Sequence, residues 1–220
     1  FSTIVGVIEL NILFSGAISF AFAPIKSKSV ISHIRQANRG GIKLENTHPF
    51  TRELWGMNWT YAHNGQLSDY NNLPTGPYTP VGDTDSEHAF CWILNEMRLQ
   101  FPVFPNDLNR LWKLLQHCGD KLRELGVFNM IISNGDYLFC YCSNNLHWLT
   151  RRAPFGKASL IDAEMVVNFD QETTENDIVT VIATQPLTDD ETWQKMQAGE
   201  GLLFCKGQLL CQRKTHDKQP

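Results

Sequence analysis

Apolar positions recur at helical spacing in two central stretches of the chain and at strand spacing over much of the rest. Phe90, Ile93, Leu94 and Met97 follow Thr84-Asp85-Ser86-Glu87, which fits a capping box, so a helix is predicted from about Ser86 to Gln100. Leu108, Leu111, Trp112, Leu115, Cys118, Leu122 and Leu125 form a second stripe, predicting a helix from about Asp107 to Leu125 that Gly126 stops. Strands are predicted at Ser29 to Arg35 and at Asn58 to His63, the latter ending at Asn64-Gly65. Phe128 to Ser133 and Tyr137 to Cys142 flank Asn134-Gly135, a strong hairpin signal. Leu146 to Thr150, Met165 to Phe169, Asp177 to Thr184 and Leu202 to Cys211 supply further strands, the last turning at Lys206-Gly207. Asp69 to Gly82, with four Asn or Gly and three Pro, reads as a long surface loop, and Gln212 to Pro220 as a frayed polar tail. Two helices amid many antiparallel strands predict an α+β fold of sheet layers flanked by helix.

At 220 residues, 42% hydrophobic and 19% charged, the chain can bury a full core as one large domain. The formal charge is -4 and no run of Lys or Arg exceeds two, which argues against nucleic acid as a partner. Six cysteines (91, 118, 140, 142, 205 and 211) sit in apolar surroundings, so buried free thiols in a reducing, cytoplasmic setting are expected rather than disulfides. Cys140 and Cys142 alternate onto one strand face, but no paired His or Cys motif completes a metal site, and neither a metal nor a cofactor is expected. Leu10 to Ile25 carries no charge yet is shorter than the ~20 residues that span a bilayer. Glu9 interrupts it and no basic residue precedes it, so a buried strand or helix is expected there rather than a membrane anchor or leader.

Several residues could carry chemistry. Asn64 and Gly65 offer a side-chain and a backbone N–H to an oxygen that gains negative charge, although Asn-Gly is also the commonest type I′ turn. Arg35 presents a planar fork suited to a carboxylate, or makes an ordinary surface ion pair. Asp85 could hold an ammonium, or serve only the first turn of its helix. His48 could orient a site by hydrogen bonding, or be a satisfied loop histidine.

Taken in order, HIRQANRG, ENTHPF, YAHNGQL and GDTDSE resemble the class II glutamine amidotransferases, an N-terminal-nucleophile family, and are especially similar to its stand-alone enterobacterial members. The similarity covers about Pro24 to Cys211. It implies an αββα four-layer sandwich, an amidotransferase domain over 24–211, and cleavage of the side-chain amide of glutamine or a related γ-glutamyl compound. By resemblance, Arg35 matches the residue for the substrate α-carboxylate, Asp85 the acid for its α-amino group, Asn64 and Gly65 the oxyanion pair, and His48 a residue of the pocket wall.

The family also implies an N-terminal Cys, whose thiol attacks the amide while its own α-amine, with pKa ~7.7 to 8.0, acts as base. This chain starts Phe1-Ser2-Thr3, and residues 1–23 look unlike the family. A truncated or atypical segment, loss of the first strands and impaired turnover are therefore expected. The alternative is a non-catalytic subunit that binds a glutamine-like ligand or a separate protein.

Overall fold

Alternate side chains of the central strands enter two different cores, and this sets the architecture. The computed structural model describes residues 3–8, 28–33, 43–153, 157–159, 166–168 and 178–214. In β5 (Gly126–Ser133), Met130 and Ile132 pack toward the helices while Ile131 enters the other core. In β6 (Tyr137–Cys142), Phe139 and Tyr141 face the helices, whereas Leu138, Cys140 and Cys142 face away from them. Burial on both faces explains why these strands read as nearly unbroken apolar runs.

The remaining strands are β1 (Thr3–Ile8), β2 (Ser29–His33), β3 (Phe50–Leu54), β4 (Met57–Leu67), β7 (His147–Arg152), β8 (Lys157–Ser159), β9 (Val166–Asn168), β10 (Ile178–Ala183), β11 (Gln194–Lys195), β12 (Glu200–Cys205) and β13 (Gln208–Lys214). One sheet has the order β13-β12-β6-β5-β4-β3 and is antiparallel throughout. A second has the order β11-β7-β10-β1-β2, with β1 parallel to both neighbours, and β8 and β9 form a small separate pair. Helices α1 (Asp85–Gln100) and α2 (Leu108–Arg123) cover the six-stranded sheet through Phe90, Ile93, Leu94, Leu111, Leu115 and Leu122. The other core joins the two sheets through Ala62, Ile131, Trp148, Ile182, Met196 and Phe204. The fold is thus an α+β sandwich whose described layers are helix, sheet and sheet; the second helical layer of the expected αββα arrangement is not among the described residues.

Both predicted helices and the β5–β6 hairpin form where expected, and other details differ. Gln212 to Lys214, expected in a frayed tail, continue β13 and pair with Leu202, Gly201 and Glu200 of β12, because the ladder extends past the predicted strand end. The strand predicted over Asn58 to His63 is an eleven-residue β4 that runs through Asn64-Gly65, paired to Asn129 and Phe128. It is preceded by an unpredicted β3, joined through Trp55-Gly56 with φ of 59° and 77°, because Trp55 carries the left-handed conformation by packing on Trp59, Phe101 and Phe104. Helix α2 ends at Arg123, and Gly126 opens β5 instead of capping the helix. The segment Asp69 to Gly82 packs on α1, where Asn95 Nδ2 donates to the Pro74 carbonyl at 3.1 Å. In the segment expected to be atypical, Thr3–Ile8 supplies the strand between β10 and β2, while Leu10 to Ile25 lies outside the described residues. Among the described residues no helix is long and apolar enough to cross a membrane.

Candidate functional site

The far end of β4 meets the start of α1, and residues of YAHNGQL, GDTDSE and ENTHPF supply the contacts. Gly65 has φ of 151°, and a Cβ there would lie 1.9 Å from the Val127 carbonyl oxygen and 2.8 Å from His63 Nε2. Only glycine fits, which leaves this backbone exposed at the strand end. Asn64, half-buried beside it, pairs with Asn129 across the β4–β5 ladder.

Asp85, the first residue of α1, ties the helix to that strand end. Its Oδ2 accepts from the Leu67 amide at 2.7 Å and its Oδ1 from the Ser86 amide at 2.9 Å, with Ser86 Oγ 3.4 Å from Oδ1. A carboxylate has about four acceptor positions, so positions remain for a further donor. Behind it, His63 Nδ1 lies 2.8 Å from Ser86 Oγ and Nε2 lies 3.2 Å from the Val127 carbonyl. The carbonyl can only accept, so Nε2 carries the proton and Nδ1 accepts from Ser86. Burial lowers the His63 pKa, against opposing contributions from Asp85 and the Val127 contact, and keeps the ring neutral.

The GDTDSE loop is held just as closely. Thr84 Oγ1 accepts from the Glu87 amide at 3.2 Å, one half of the predicted capping box. The buried Glu87 carboxylate reaches past Thr84 to the amides of Val81 at 3.0 Å and Gly82 at 2.7 Å, and pairs with Arg52 Nη2. From ENTHPF, buried Asn46 donates to Asp83 Oδ1 at 2.7 Å and accepts from the Asp83 amide at 3.1 Å. His48 of the same motif is buried, with its ring 4.2 Å from that of His33 at the end of β2. Arg35, two residues beyond His33, lies outside the described residues.

Asn64, Gly65 and Asp85 therefore share one edge, with His48 and His33 in the flanking motifs. The sequence reading missed Asn46, His63, Ser86, Glu87 and Asn129. Asn129, a lone amide in an otherwise apolar strand, was the visible signal: a polar residue at an inward position of a doubly buried strand needs partners.

None of the six cysteines is suited to attack an amide. Burial raises every thiol pKa, to about 11 for Cys91 and Cys142 and further for Cys118 and Cys140. Cys205 and Cys211 are more accessible, and burial raises them too.

This combination of fold and motifs has close parallels. The chain is 60% identical over 187 residues to an Escherichia coli (strain K12) protein named "Putative glutamine amidotransferase YafJ", a match covering 85% of this chain and 73% of that protein. A Haemophilus influenzae relative of similar name is 41% identical over 188 residues, 86% of this chain and 64% of its own length. The 2.0 Å crystal structure of a "predicted glutamine amidotransferase from Pseudomonas aeruginosa PA01" superposes with a TM-score of 0.73 at 54% identity, covering 81% of this chain and 70% of that one. The sequence profile described as "Glutamine amidotransferases class-II" matches residues 20–220, and the chain belongs to that family.

Proposed function

We propose that this chain binds glutamine, or a related γ-glutamyl compound, at the edge where β4 meets α1 and contributes the oxyanion donors for cleavage of its side-chain amide. Asp85 receives the α-ammonium, Arg35 the α-carboxylate, and His48 lines the wall. The Asn64 side chain and Gly65 amide receive the carbonyl oxygen as it gains charge. The observation that carries this reading is the 2.7 Å bond from the Leu67 amide to Asp85, which ties the ammonium-binding carboxylate to the strand bearing the oxyanion donors.

Membership of the family implies an N-terminal Cys as the attacking thiol, a position that Phe1 holds in this sequence, and burial disfavours the thiolate of the internal cysteines as substitutes. The N-terminal sulfur adds to the amide carbon, the tetrahedral oxyanion collapses with loss of ammonia, and water releases glutamate from the thioester. A second reading, ligand binding without turnover, is favoured by the same deadened thiols.

Calorimetry with L-glutamine, together with an ammonia-release assay on the chain carrying Cys as its first residue, separates the two. Saturable binding that weakens by about 2 kcal/mol or more, roughly 30-fold, in both Asp85→Ala and Arg35→Ala supports the pocket. In the Cys-led chain, Asn64→Ala is expected to lower kcat by ~10²- to 10³-fold. Binding without ammonia release selects the second reading, and no binding to a folded chain ends both.

A further inference from the structure

We propose that Asn129 is a positioning residue: it fixes the orientation of the Asn64 side-chain amide so that Asn64 Nδ2, not Oδ1, faces away from the ladder. The step from there to an oxyanion rests on the function proposed above. Asn129 is fully buried on β5, directly opposite Asn64. Its Oδ1 accepts from three successive backbone amides, Ser143 at 3.0 Å, Asn144 at 3.2 Å and Asn145 at 3.3 Å. An atom facing three N–H groups must be the oxygen, so the orientation of Asn129 is decided by the loop it clamps.

Its Nδ2 must then donate. It lies 2.7 Å from Asn144 Oδ1, 3.2 Å from the Asn64 carbonyl oxygen and 3.4 Å from Asn64 Oδ1. The NH₂ has two protons for these three acceptors, so one goes to Asn144 Oδ1 and the other is shared between the Asn64 carbonyl oxygen and Asn64 Oδ1. A shared proton at that position still selects the oxygen of the Asn64 carboxamide and turns its NH₂ the other way. Among the described residues nothing holds Asn64 Nδ2, which leaves that donor for a ligand. The information passes from the 143–145 loop through Asn129 to Asn64, fixing in advance which end of the Asn64 amide a carbonyl oxygen meets.

Asn129→Asp removes every donation of Nδ2, to Asn144 Oδ1 and the Asn64 carbonyl as well as to Asn64 Oδ1, and keeps the acceptor side. The carboxylate still accepts the three loop amides, so the clamp survives, but it has no proton to give. Facing an acceptor instead of a donor, the Asn64 amide turns over and directs Nδ2 inward. The test measures side-chain amide exchange by NMR on the ¹⁵N-labelled full chain, with Asn64→Ala to assign the signal. In the parent chain the Asn129 NH₂ is expected to exchange slowly and the Asn64 NH₂ fast; in Asn129→Asp the Asn64 NH₂ becomes slow. Glutamine affinity should fall about tenfold, the scale of one hydrogen bond, while norvaline, which keeps the amino-acid head group but lacks the carbonyl, is unaffected.

An Asn64 NH₂ that is already protected in the parent chain, or one that stays fast in a folded Asn129→Asp chain, overturns the proposal. So does an equal loss of glutamine and norvaline, which marks a general collapse of the pocket. If the amide turns over as expected but the parent chain binds no glutamine, the positioning stands and the functional reading falls.

Discussion

Gly65 concentrates the demands of this edge on one residue. A methyl group would meet the Val127 carbonyl and the His63 ring simultaneously, and neither is the loose end of a flexible side chain. The φ of 151° also strains any other residue. Gly65→Ala is therefore expected to force β4 and β5 apart locally and to destabilise the chain by at least ~2 kcal/mol. The melting temperature should fall by roughly 4 °C or more for a chain of this size, and any glutamine binding should be lost with it. A variant that melts like the parent would show that the strand end is looser than its contacts imply. The functional and structural requirements at Asn64-Gly65 are thus the same one: backbone bare enough for a ligand, held by a ladder that admits no side chain.

At the scale of elements, the start of α1 is fixed twice, by Thr84 as N-cap and by Glu87 as a buried anchor. Thr84→Ala removes one acceptor and should cost about 1 kcal/mol. Glu87→Ala strands the amides of Val81 and Gly82 and leaves Arg52 without its carboxylate. Because Arg52 stays partly solvated, the expected loss is about 3 kcal/mol, the lower end for a broken buried pair, or roughly 6–12 °C in a thermal melt. Equal losses in the two variants would refute this ranking. The capping-box pattern was legible because N-cap chemistry is local, whereas the route of the Glu87 side chain depends on a loop folded over it. The same distinction explains β4. Asn-Gly is locally a turn signal, and only the partner strand β5 reveals that the ladder continues to Leu67. The β3–β4 turn escaped notice for the opposite reason: Trp55-Gly56 has no usual turn signature and relies on aromatic packing distant in sequence. Motif order carried the family, yet the Asn46–Asp83 and Asp85–Leu67 contacts that join the motifs needed the tertiary structure.

Across the whole molecule, two cores share the six-stranded sheet, and both enclose groups that fold in their neutral forms. His63 is buried with its pKa lowered below the ordinary 6.5. As pH falls through 6.5 the unfolded chain takes up a proton that the folded chain refuses, so stability declines until His63 itself titrates. Burial lowers His147 as well, with the same sign. The thiols act in the opposite direction. Cys91 and Cys142 are pushed up to about 11 from an ordinary 9.0, with Cys118 and Cys140 higher still. Above pH ~9 the unfolded chain releases protons that the folded chain retains, so stability declines again as pH rises. The urea midpoint should therefore form a plateau between about pH 6.5 and 9 and fall on both sides, with His63→Gln flattening the acid limb. Thiol reagents give an independent check: Cys205 and Cys211 are partly exposed and should react in the native chain, while the four buried cysteines react only on unfolding. A midpoint that rises above pH 9, or early labelling of Cys140 and Cys142, would mean that the two sheets do not close over their shared core.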